Sequence, residues 1–262
     1  MDDAAVLSIL AQADAAPSLP RLGGMARPDG VAIVSEQTYA FSAVDGRPLT
    51  RGSMPKPPAL VLRLPLLRGL AKLGVSLAPM FSRRGTVRPL DRVVLLLALL
   101  APLPLALVPD VYRGWALGAS IVALLAFMLR GRTLRLHGAE HRAIAAAETR
   151  CLVDTWYGTA APSRFSLRCG TNFAALLVPV SLLVDRAPLV PSTALAPVFV
   201  SLVALALTME LWLAAQRWLS TVGRVALLPG LALQRLTTRE PRLADVRVAL
   251  RAVAAVIAAD RP

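Results

Sequence analysis

Four apolar runs, at residues 93–108, 115–129, 173–184 and 189–215, constrain this chain more than any other feature. A helix that crosses the hydrocarbon core needs about 20 mostly apolar residues. Only the last run has that length, and the first is interrupted by Pro102 and Pro104. Charge placement supports four spans better than length does. Of 29 Lys and Arg, only Arg113 and Arg186 fall in the short connections 109–114 and 185–188. The other 27 precede residue 93, lie between 130 and 168, or follow 216. Alternation of this kind orients a chain by the positive-inside rule. The expectation is an all-α membrane protein with four transmembrane helices in two hairpins. Both termini and the 130–170 segment then lie in the cytoplasm.

Composition points the same way. The chain is 56% hydrophobic with a mean hydropathy of +0.59, well above an ordinary soluble domain. A net charge of +13 would fit nucleic-acid binding, but the hydrophobicity argues against nucleic acid and for an anionic bilayer surface. No basic start followed by an apolar core opens the chain, so no cleavable signal is expected. Abundant Ala, Arg and Leu fit a GC-rich bacterial genome and hence a bacterial inner membrane. Cys151 and Cys169 allow at most one bridge and should be free thiols in a reducing cytosol.

Four regions follow. Residues 1–58 are polar and rich in Pro and Gly, with short strands at 31–34 and 38–44 and a turn at Asp45-Gly46. Residues 59–91 begin with an apolar stretch carrying Arg63, Arg68 and Lys72, a basic amphipathic segment for the membrane surface or for the protein's own body. Residues 92–216 hold the four spans and the 130–170 motif loop. In the cytosolic segment 217–262, Pro229-Gly230 breaks the chain and 243–259 repeats apolar residues at helical spacing.

The only two histidines sit in His137-Gly138-Ala139-Glu140-His141. The Ala-rich segment 134–149 favours helix, and residues i and i+4 of a helix share a face. Two imidazoles one turn apart make half of a tetrahedral metal site, with Glu140 placed to activate a bound water. The order H-x-x-E-H inverts the metalloprotease H-E-x-x-H motif. The alternative is a pair of surface histidines. A third ligand is needed. Glu148 shares the face of His137 but lies about 10 Å beyond His141 along the axis. It is read as a group that orients a histidine or binds substrate. Glu210, an acid inside the fourth run near its cytoplasmic end, is a functional suspect because a charge there is costly. Cys169, in Arg168-Cys169-Gly170-Thr171-Asn172, offers a thiolate.

Several blocks together resemble the YqhQ-like family of bacterial membrane proteins. They are Arg135 to Ile144 with Glu148, Arg168 to Phe173, Glu210, Pro229-Gly230-Leu231 through Pro241, and Leu64 to Gly69. The resemblance implies a multi-span protein with a metal site and names no substrate. Three departures stand out. The family's Gly-Gly-Gln-Ala-Val-x-Glu-Gly stretch is here Gly23-Gly24-Met25-Ala26-Arg27-Pro28, without a counterpart to its acid. Ser166-Leu167 replace a His before the R-C-G-T block. Arg247 replaces an acid in the last helix.

The function expected is a metal-dependent hydrolase at the cytoplasmic membrane face. His137 and His141 bind a divalent ion, zinc first and iron second. Glu210 or Cys169 completes the shell, and Glu140 is the general base. Its substrate is amphipathic or membrane-delivered. A redox enzyme, since two His and a carboxylate also describe a non-haem iron site, and a non-catalytic scaffold are the rivals.

Overall fold

The computed structural model describes residues 1–81, 89–100, 132–187, 196–217 and 221–260, with isolated positions between 108 and 123. Helix α1 (Asp3–Ala15) opens the chain, and the Asp2 carboxylate caps it by accepting from Ala5 N at 2.8 Å. Four strands follow: β1 (Gly23–Arg27), β2 (Gly30–Val34), β3 (Thr38–Ala43) and β4 (Thr50–Ser53). They pair antiparallel in chain order. Gly24 faces Ile33 and Ala32 faces Phe41, so the β-branched centre of β2 is held on both edges. Asp45-Gly46 makes the β3–β4 turn with Gly46 at φ 77°.

Helices α2 (Ala59–Arg63), α3 (Leu67–Phe81) and α4 (Pro89–Leu100) come next. Then come α5 (Arg132–Thr149), which carries the histidines, and α6 (Leu152–Tyr157). The chain ends with α7 (Gly170–Asp185), α8 (Ala196–Arg217), α9 (Thr221–Thr237) and α10 (Leu243–Asp260).

The core lies between the sheet and two Ala-rich helices. Helix α10 packs on β2, β3, α1, α5 and α6, and α5 packs on β1. Leu250, Ala252, Val253, Ala254, Ala255 and Val256 of α10 have no exposed surface. Small side chains between the Leu and Val positions let α10 bury almost its whole circumference, not one stripe. Leu10, Ile33, Leu136 and Leu152 meet it from four other elements. This head is one body; α3, α7, α8 and α9 form a second layer, with α8 packed on α3, α7 and α9.

The all-α, four-span expectation does not hold. Among the described residues one helix, at Ala196–Gln216, is long and apolar enough to cross a membrane. The third run forms α7, whose 16 residues rise only about 24 Å, short of a hydrocarbon core of roughly 30 Å. Much of the chain's hydrophobicity sits inside the sheet-and-helix head, where it serves a protein core and not lipid contact. Residues 101–107 of the first run and two thirds of the second lie outside the described residues.

Two local expectations also change. Pro229-Gly230 does not end a helix; both residues lie within α9, where proline's missing N–H interrupts a single hydrogen bond. The 59–80 segment is two helices, α2 and α3, separated by Leu66 at φ 67°, and α3 lies on α8.

Candidate metal centre

Helix α5 places His137 and His141 on one face, with ring centroids 4.5 Å apart and planes at 67°. The helix can sit here because position 138 is glycine. A Cβ on Gly138 would stand 2.2 Å from the Arg239 carbonyl oxygen, so any side chain would push away the segment after α9. That segment is pinned to α5 by Arg239 N donating to Leu134 O at 2.9 Å.

Each imidazole donates its Nδ1–H to a backbone carbonyl. His137 Nδ1 lies 2.8 Å from Thr237 O, and His141 Nδ1 lies 2.7 Å from Arg164 O. A carbonyl can only accept, so the proton sits on Nδ1 in both rings and the lone pair on Nε2. Metal-binding histidines are oriented in the same way. His137 Nε2 is 3.2 Å from Cys169 Sγ. His141 Nε2 is buried and has no hydrogen-bond partner among the described residues. Donor atoms of His137, His141 and Cys169 all lie within 4.8 Å of one another.

Cys169 is the N-cap residue of α7, and its sulfur accepts from Thr171 N at 3.4 Å and Thr171 Oγ1 at 3.2 Å. The loop before it is tied to α9. Gln234 accepts from Ser166 N at 2.8 Å and donates to Ser166 O at 2.7 Å. Arg164 donates to Thr238 O at 2.9 Å, and Glu240 pairs with Arg142 at 2.7 Å. The R-C-G-T-N and L-T-T-R-E-P blocks therefore do one job together. With the 164–167 loop between them, they hold the two carbonyls and the thiol around the α5 imidazoles.

Glu140 points elsewhere on the same helix, into β1. A Cβ on Gly24 would come within 2.7 Å of its Oε1, so the strand must be bare there. Burial pushes its carboxyl up to about 7, against the pull of the His137 imidazole and the Ala26 N–H.

The other two acids are engaged away from this group. Glu148 pairs with Arg168 at 2.6 Å and is half exposed. Glu210 receives both Nε and Nη2 of Arg68, a residue of α3 142 positions earlier. Neither is among the three donors that the structure brings together.

The departures noted in the sequence also take shape. Counting through Gly23-Gly24-Met25-Ala26-Arg27-Pro28-Asp29-Gly30 puts an acid, Asp29, in the seventh position, so the expected loss of that acid does not hold. Asp29 pairs with Arg27 at 3.0 Å in the β1–β2 turn. Arg247 stacks on the Trp156 ring at 5.5 Å and donates to Trp156 O at 3.1 Å, joining α10 to α6.

An α+β head, a helix of membrane-spanning length and a His-His-Cys donor group that could hold a metal ion define the class. The chain belongs to a family described as "Protein of unknown function (DUF1385)", which matches residues 96–259. The match covers the His pair and Cys169 and begins after the sheet that covers Glu140. No curated protein and no solved structure matches the chain.

Proposed function

We propose that this protein is a membrane-anchored, metal-dependent hydrolase whose head lies on the cytoplasmic side. The observation that carries the reading is the orphaned, buried Nε2 of His141, with its ring locked through Nδ1 and the His137–Cys169 pair beside it. A buried nitrogen lone pair without a partner is costly, and a cation at that point would satisfy it. Two imidazoles and a thiolate suit zinc, and three protein ligands leave a fourth position for water. The third ligand also favours zinc over a non-haem iron triad, which needs a carboxylate there.

Zinc in such a site supplies a hydroxide nucleophile near neutral pH. Within the chain, Glu140 serves as the proton acceptor: its carboxyl faces β1 yet feels the His137 imidazole. Thr237 and Arg164 carbonyls fix the imidazoles, and Thr171 orients the thiolate. The substrate is amphipathic and reaches the site from the bilayer, because the loop bearing Cys169 leads directly into α7 and its exposed Val178, Leu182 and Leu183.

Cobalt substitution tests the donor set. Cobalt-loaded protein should show a near-ultraviolet thiolate-to-metal absorption band that Cys169→Ser abolishes while the visible bands persist. A cobalt spectrum unchanged by Cys169→Ser would remove the thiolate from the site.

A further inference from the structure

Next to the metal centre is a cavity of about 440 Å³ between the head and the end of α8. Its wall includes Arg21, Arg150, Arg168, Glu148, Ile144 and Gln216. Three arginines line it against one carboxylate: Arg168 pairs with that Glu148, and Arg150 donates to the Ala13 and Pro17 carbonyls. A neighbouring cavity of about 430 Å³ shares Arg21 but is lined by Glu36 and Asp260, so the cationic excess belongs to this one.

Gln216 supplies the second observation. Its Oε1 accepts from Arg21 Nη2 at 2.6 Å, and because arginine only donates, the amide orientation is settled. Its Nε2 is then a true donor, and it is buried without a partner among the described residues. Trp212 Nε1 and Thr208 Oγ1 share that condition. Residues 208, 212 and 216 are spaced by four, so the three orphans line one face of α8. Of the three only Gln216 belongs to the cavity wall, and it holds Arg21 in place there; three arginines against one carboxylate ask for a ligand rich in anionic acceptor oxygens.

We propose that this cavity binds a phosphate-type oxyanion, carried as the headgroup of a membrane amphiphile. Gln216 is the last residue of Ala196–Gln216, the stretch long and apolar enough to cross a membrane, and a crossing there would set the arginines at headgroup depth, where anionic lipid phosphates are concentrated. Arg168 directly precedes Cys169, and Ile144 lies less than one turn past His141, so a bound headgroup sits beside the metal ligands. Its role as substrate rests on the metal-hydrolase reading; its binding does not.

The test is calorimetric titration of the full chain in detergent with dihexanoylphosphatidate and, separately, with inorganic phosphate. Each is repeated on His137→Ala, in which an anion held only by the ion would be lost. The phosphatidate should bind, should persist in His137→Ala, and should weaken at least tenfold in both Arg168→Ala and Gln216→Leu. Inorganic phosphate should bind at least tenfold more weakly. Equal affinity for the two would keep the oxyanion pocket and make free phosphate its source. No binding of either probe, or binding unchanged in both variants, overturns the proposal. Metal content of the same samples separates the two readings. Protein that holds its ion and ignores both probes sinks the cavity alone. Metal-free wild type that binds them sinks the metal centre alone.

Discussion

His137 Nε2 and Cys169 Sγ lie 3.2 Å apart although 32 residues separate them. The contact joins α5 to the N-cap of α7, so the His-His-Cys donor group is also a clamp between the head and the second layer. Loading the ion should therefore stabilise the fold as well as equip it. Zinc added to metal-free protein should raise Tm in a concentration-dependent way, and the rise should vanish in His137→Ala. A Tm indifferent to zinc in the wild type would contradict the clamp.

Gly138 should be among the least replaceable residues of the motif. Gly138→Ala puts a methyl group against the Arg239 carbonyl, and overpacking of this kind costs about 1–3 kcal/mol. Because Thr237, two residues earlier, holds the His137 ring, metal affinity should also fall by roughly 10- to 100-fold. Denaturant unfolding and a competition titration with a chromophoric chelator check the two effects. Wild-type affinity in Gly138→Ala would mean that the Thr237 carbonyl does not set the ring.

Glu140 makes the metal-free protein sensitive to pH. Its carboxyl has an ordinary value of 4.5 and is held at about 7 in the fold by burial. Between those values the folded chain keeps a proton that the unfolded chain has released. Its contribution is complete below pH 4.5 and is lost as pH rises through 7. At about 1.4 kcal/mol per unit, the loss is up to about 3 kcal/mol. Glu140→Gln stays neutral and should flatten that part of the profile, giving a variant more stable than wild type at pH 8. Equal slopes from pH 5 to 8 would place the carboxylate in solvent.

Glu210 should matter for the fold and not for the ion. Its bidentate contact with Arg68 ties α3 to α8. Glu210→Gln and Arg68→Ala should each lower thermal stability in detergent, with a double variant little worse than either single one. Both should keep full metal content. Loss of metal from Glu210→Gln would restore it as a ligand.

The helix around the His pair was legible because an Ala-rich segment with two imidazoles at i and i+4 has few other readings. Cys169 was legible as a thiol near a helix start. The carbonyls of Arg164 and Thr237 were not, since a backbone acceptor carries no residue-type signal, although Thr237 lies in the 229–241 block. Strand β1 was missed because Gly23-Gly24-Met25-Ala26 has no β-branched residue; pairing with β2 and the bulk of Glu140 select it. The four-span expectation failed for a different reason. Arginine placement and apolar runs do not fix where a helix ends: α7 stops at 16 residues, and among the described residues only α8 has the length and apolarity to cross a membrane.

The most direct measurement of the central claim is elemental analysis of untagged protein purified in detergent without added metal. The account predicts about one zinc per chain. That zinc should be lost from His141→Ala, whose Nε2 is the orphaned donor, and kept by Glu148→Gln. Wild-type protein with no stoichiometric metal, even after zinc is supplied and excess removed, would contradict it.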